Sequence, residues 1–153
     1  MNNLIIRNAK REDVKSIYTL INALAKFEKE EHAVQITVEE LAEDGFGENP
    51  SYSCIVAELE GSVVGFALYF IRYSTWQGKT VYLEDFLVDE NYRSKGIGKL
   101  LFEEMISIAQ NLNVRQMSWQ VLDWNEGAIR FYKKYEAEFA DEWLNVRLLF
   151  DKK

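Results

Sequence analysis

The order of apolar and polar positions changes period several times along the chain, and each change marks an element. Leu4, Ile5 and Ile6 begin a short strand, after which Val14, Ile17, Tyr18, Ile21, Leu24 and Ala25 recur at the spacing of an amphipathic helix. Thr37 with Glu40 three residues later has the form of a capping box, which predicts a short second helix through Ala42, closed by the loop-rich stretch 44–50. The runs 52–59 and 62–73 are β-branched and aromatic and are separated by Glu60-Gly61, the pattern of a hairpin. A third run, 80–88, extends the hairpin into an antiparallel meander. The period then lengthens: Ile97, Leu100, Leu101, Met105, Ile108 and Leu112 trace the buried stripe of a helix that opens at Gly96. Residues 117–122 return to strand. Asn125 caps another helix, with Ala128, Ile129, Tyr132 and Tyr135 on one face, and 143–150 reads as a last strand. The order, roughly βααβββαβαβ, predicts an α/β fold with a mixed central sheet flanked by helices, in one domain over residues 1–153.

Composition narrows the chemistry that this fold can carry. A chain of 153 residues, 48% apolar and 28% charged with a single proline, buries a core without disulfides or metal and does not read as disordered. No apolar run approaches the roughly 20 residues that cross a bilayer, and Met1 to Arg7 lacks a leader's apolar core. A cytoplasmic protein with no membrane partner is therefore expected. Cys54 is the only cysteine and His32 the only histidine, so neither a disulfide nor a cysteine-based or two-histidine metal site can form within the chain, and no metal is expected. Cys54 sits in the apolar run Tyr52 to Ala57 and reads as a buried structural thiol. A net charge of −7 argues against a nucleic-acid partner and favours cationic ligands.

One stretch, Tyr82 to Leu101, runs from strand through a glycine-containing turn into a helix. Gly96 and Gly98 let the backbone bend tightly, so the amides of the first helical turn point outward as an anion site reinforced by the helix dipole. Arg93 and Lys95 add positive charge, and together these features suit a pyrophosphate. The dinucleotide pattern fails for want of a third glycine, and the P-loop pattern fails because Leu100 follows Gly98-Lys99. An ordinary strand-to-helix turn fits Arg93-x-x-Gly96-x-Gly98 equally well. Glu84 and Asp85 interrupt an otherwise apolar strand, and they should face opposite sides of the sheet unless a bulge intervenes. At least one needs a cation, either an internal Arg or Lys or a bound ammonium.

Arg93 to Gly98 resembles the R/Q-x-x-G-x-G/A signature of the Gcn5-related N-acetyltransferase (GNAT) superfamily. Within it, the chain is similar to the diamine and polyamine (spermidine/spermine) acetyltransferases and above all to their thialysine-acetylating members. The similarity lies in LAKFE at Leu24 to Glu28, EDGFGENP at Glu43 to Pro50, YSTW at Tyr73 to Trp76, YLEDF at Tyr82 to Phe86 and VLDWN at Val121 to Asn125. These blocks span nearly the whole chain. The resemblance implies an acetyl-CoA-dependent N-acetyltransferase acting on a primary amine of a small diamine, polyamine or lysine-like acceptor, in a homodimer. Other amines, on a protein N-terminus or an amino sugar, and a non-catalytic acyl-CoA binder are the alternatives.

The same resemblance assigns the parts. Amides of Ser94, Lys95, Gly96, Ile97, Gly98 and Lys99 would hold the coenzyme pyrophosphate with Arg93. The backbone of Phe86, Leu87 and Val88 would splay from its neighbouring strand onto the pantetheine, and Asn125, Glu126, Gly127 and Ala128 would flank the coenzyme arm. Tyr132 would protonate the departing thiolate, although by spacing alone it is a core aromatic. Glu84 would face the amine as the main carboxylate, with Asp85 beside it, and Phe27, Glu28, Ser74 and Trp76 would line the acceptor channel. Ser74 stands where polyamine-type members place an aspartate, which makes spermidine and spermine poor expected acceptors. Glu136 replaces the glycine expected after the Tyr132 helix, where a left-handed cap favours glycine.

Overall fold

In the computed structural model, which describes residues 3–151, strand β1 (Leu4–Asn8) leads through a 3-10 turn at Arg11–Asp13 into helices α1 (Val14–Phe27) and α2 (Val38–Phe46). A meander of β2 (Ser53–Leu59), β3 (Ser62–Ser74) and β4 (Gly78–Val88) follows, then helix α3 (Ile97–Asn111) and the short strand β5 (Met117–Ser118). These elements form a unit that ends at Gln120; a second unit begins at Val121 and contains helix α4 (Glu126–Lys133). The strands lie in the order β1-β2-β3-β4-β5, antiparallel except for the parallel pair β4–β5, so the sheet is mixed as expected.

Two apolar layers sandwich the sheet of the first unit. Val14, Ile17 and Leu20 of α1, with Leu41 of α2, pack on Cys54, Val56, Phe66, Leu68 and Leu87. Phe86, next to Leu87, has its ring 5.5 Å from that of Phe102 in α3. Because neighbours along a strand point to opposite faces, α1 and α2 cover one side of the sheet and α3 the other. Local signals set the joints: Glu60 and Gly61 both take left-handed φ values, 51° and 84°, as the tight hairpin between β2 and β3 requires. The Thr37 hydroxyl accepts from the Glu40 amide at the start of α2, and the Asn125 side chain accepts from the Ala128 amide at the start of α4. Glu136 has φ 59°, so the cap after α4 is left-handed without its glycine.

Three expectations need correction. Helix α2 does not stop at Ala42 but runs to Phe46. Its last turn is held from outside: a side chain at Gly45 would collide with the Tyr52 ring, whose hydroxyl donates to the Leu41 carbonyl at 2.5 Å. Strand β5 covers only Met117–Ser118 rather than 117–122, since its pairing with β4 ends at Tyr82↔Ser118. Residues 143–150 form no strand, although their sequence alternates like one. Leu144, Val146 and Leu148 are 88%, 90% and 80% exposed, and a strand forms only where a neighbour takes up its backbone hydrogen bonds.

One polar network anchors β1 to α1. The buried Asp13 carboxylate accepts from Arg7 Nη1 at 2.8 Å and Nη2 at 3.0 Å and from the Lys10 amide at 2.7 Å, while Arg7 also reaches Glu58 of β2 at 3.1 Å. The Arg7 hydrogen bonds hold the Asp13 carboxyl below its ordinary range. Its stabilisation is therefore present above the unfolded pKa, about 4, and is lost as pH falls through the lower folded value. Asp13→Ala leaves a half-buried guanidinium short of its partner and should cost about 3 kcal/mol at pH 7. Urea unfolding of both proteins at pH 7 and pH 3 checks this, and the gap should narrow at the lower pH.

Candidate active site

Strand β4 carries the acidic pair at an irregularity in its pairing with β3. Leu68 lies opposite Asp85 but Tyr69 lies opposite Leu83, so Glu84 is the extra residue of a bulge. The bulge decides where the carboxylates point. Residues directly opposite across a ladder share a face, and Leu68 belongs to the α1 side. Asp85 therefore turns toward α1, whereas without the bulge it would follow Leu83 onto the other face. Glu84 is exposed beside it.

Helix α1 delivers its end to the same place. Phe27 is its last residue and Glu28 its C-cap. Burial, then the charges of Glu84 and Glu28, push the Asp85 carboxyl up to about 7. Glu28 is itself raised, first by burial and then by Glu30. The structure thus assembles Glu28, Glu84 and Asp85 into one acidic patch, and its most enclosed carboxylate is Asp85 rather than Glu84, to which the family resemblance assigns the leading part.

From this patch the chain continues through the loop to α3. Six residues of β4, from Leu83 to Val88, extend past its last pairing with β5, and they include the predicted pantetheine segment Phe86 to Val88. Arg93 follows a 3-10 turn at Glu90–Tyr92, and its Nε donates to the Val88 carbonyl at 3.1 Å. Ser94 and Gly96 both have left-handed φ, 64° and 81°. Gly96 caps α3 with no side chain on its first-turn amides and no acidic residue in that turn, and a side chain at Gly96 would meet open space. Ser94, Lys95 and Lys99 are exposed around it. A helix start that is bare, glycine-capped and flanked by lysines fits a diphosphate.

In the second unit, Asn125 to Ala128 form the cap and first turn of α4, and Tyr132 lies on that helix, 7% exposed, with its ring 5.6 Å from Phe131 in an edge-on contact. Two predicted residues are not brought to the carboxylates. Ser74 lies at the far end of β3, six positions beyond Leu68, roughly 20 Å at the usual strand rise. Its hydroxyl accepts from the Trp76 and Gln77 amides at 3.1 Å each, so it shapes the β3–β4 turn, and Trp76 is 82% exposed there.

Cys54 is buried and its thiol is pushed up to about 12, first by burial, which suits the structural role expected of it. A cavity of about 330 Å³ beside it, lined by Phe46, Tyr52 and Tyr69 among others, has no charged side chain in its walls and none of the predicted site residues. Among the described residues no cluster of His, Cys, Asp and Glu is arranged to hold a metal ion, and no helix is long and apolar enough to cross a membrane. The sequence did not reveal a contact between Arg93 and Phe27, where the guanidinium carbon lies 5.5 Å from the ring centroid.

Comparison with known proteins gives these positions a context. The profile of the acetyltransferase (GNAT) family matches residues 14–136. Thialysine N-epsilon-acetyltransferase of Mus musculus is 43% identical over 93% of this chain and 90% of its own. The Homo sapiens spermidine/spermine N(1)-acetyltransferase-like protein 1 is 37% identical over 83% of this chain, which corresponds to 19% of that longer protein. A possible acetyltransferase from Clostridium difficile 630 shares the fold, with a TM-score of 0.79 at 21% identity over 98% of this chain and 100% of its own.

Proposed function

Since the chain belongs to the GNAT acetyltransferase family and is an N-acetyltransferase, we propose that it acetylates a primary amine of a lysine-like acceptor such as thialysine, or of a small diamine, directly from acetyl-CoA in a ternary complex. The observation that carries this reading is the bulge in β4. It sets an enclosed carboxylate against the end of α1, and the same strand runs on into a bare helix start suited to a diphosphate.

Each part has a physical task. The amides from Ser94 to Lys99 hold the pyrophosphate, and the Phe86 to Val88 backbone lies along the pantetheine. When bound, acetyl-CoA supplies an acetyl group activated as a thioester. One backbone amide of that segment polarises the carbonyl, a contribution typically worth about 3 to 4 kcal/mol. An ammonium has no lone pair, so the amine must lose a proton before attack. Asp85 accepts it, with Glu84 and Glu28 drawing the cation in. Tyr132 returns a proton to the departing thiolate, a role that rests on its place in the family motif. The family resemblance gives Asn125 to Ala128 the flank of the coenzyme arm. A covalent route through the enzyme is disfavoured because Cys54 is buried with a thiol pushed up to about 12. Intact mass after incubation with acetyl-CoA alone should show no acetylated protein; a stable acetyl adduct would overturn direct transfer.

Selectivity follows from Ser74. By the resemblance it stands where polyamine-type members place an aspartate, so that anionic anchor for a second ammonium is missing. Thialysine should exceed spermidine and spermine in kcat/KM. The apolar side chains exposed over 143–150, including Trp143 at 69% and Phe150 at 84%, support a homodimer that covers them.

A further inference from the structure

Arg93 joins two parts of the first unit that have separate tasks in the reading above. Its Nε donates to the carbonyl of Val88, the last residue of β4, and its guanidinium lies over the ring of Phe27, the last residue of α1. Phe27 is 42% exposed, and an arginine over an aromatic face is an effective restraint. Glu28 follows Phe27 directly and acts electrostatically on Asp85. The other cation over a ring in this loop, Lys95 over Tyr92 at 5.5 Å, joins the loop only to itself.

We propose that Arg93 is a positioning residue for the amine: anchored on the Val88 carbonyl, it clamps Phe27 and thereby holds the Glu28 carboxylate toward Asp85, coupling the coenzyme loop to the acceptor site. This rests on the acetyltransferase reading of the site. It follows that occupying the loop tightens amine binding, and that the coupling runs through Phe27.

The test is a double-variant cycle read by calorimetric binding of thialysine to protein saturated with CoA, alongside acetylation kinetics of the same proteins. Arg93→Gln and Phe27→Leu should each weaken thialysine binding about three- to tenfold, the range of such a contact. The double variant should be no worse than the weaker single one, since both break the same link. Arg93→Lys keeps a cation and should recover at least half of the loss. Effects that multiply in the double variant would overturn the inference, as would an Arg93→Gln protein that loses only acetyl-CoA affinity. A wild-type protein that releases no thiol with thialysine would instead remove the reading beneath it, and the inference with it.

Discussion

Replacing Asp85 with asparagine should lower kcat/KM for thialysine by about a hundredfold or more and abolish its rise through pH 7. Only the ionised carboxylate can take a proton, and burial together with the charges of Glu84 and Glu28 raises this one to about 7. Below that pH it is already protonated, so the wild-type profile climbs as pH passes 7. The shift also improves the proton transfer. An ordinary aspartate near 3.9 lies about 6.5 units below an alkylammonium near 10.4, whereas a carboxyl near 7 leaves about 3.4. Glu84→Gln separates the two carboxylates: it removes a like charge, so the limb should move to lower pH and persist. If Glu84 rather than Asp85 were the acceptor, the limb would vanish in Glu84→Gln and survive in Asp85→Asn.

The same carboxylate lowers stability. A carboxyl whose folded pKa lies above its unfolded value contributes most below the unfolded value, about 4, and that contribution is lost as pH rises through the folded one. Asp85→Asn should therefore melt at a higher temperature than the wild type at pH 8, and the difference should shrink toward pH 5. Greater stability with lower activity is the mark of a group kept for chemistry.

Tyr132→Phe should reduce kcat by about a hundredfold and leave KM for both substrates nearly unchanged, as expected when a general acid is removed without its ring. The substitution keeps the edge-on contact with Phe131 and the packing of a side chain only 7% exposed. Its cost should thus appear in turnover and not in melting temperature. Wild-type kcat in this variant would return Tyr132 to the plain core aromatic that its helical spacing suggests.

Features fixed by a few neighbouring residues were legible in the sequence. Gly96 in the Arg93 to Gly98 signature is a left-handed helix cap, Glu60-Gly61 is the hairpin turn, and Thr37 and Asn125 cap their helices. Glu136 takes the left-handed conformation although the missing glycine put that cap in doubt. What could not be read depends on partners distant in the chain. The position of the bulge follows from how β4 registers on β3, so which of Glu84 and Asp85 turns toward α1 is not written in their order. The Arg93–Phe27 contact joins residues that precede and follow the meander in the chain. The last turn of α2 depends on Tyr52 meeting Gly45, and the strand-like alternation over 143–150 is not by itself enough to make a strand.

The central claim is that a coenzyme held at the Gly96 turn passes its acetyl group to an amine beside Asp85. Thiol released from acetyl-CoA by the wild-type protein, measured with and without thialysine, tests it most directly. Release that depends on the amine and matches the N-acetylated product mole for mole is predicted. Acetyl-CoA binding with no amine-dependent release from thialysine or any diamine would contradict it.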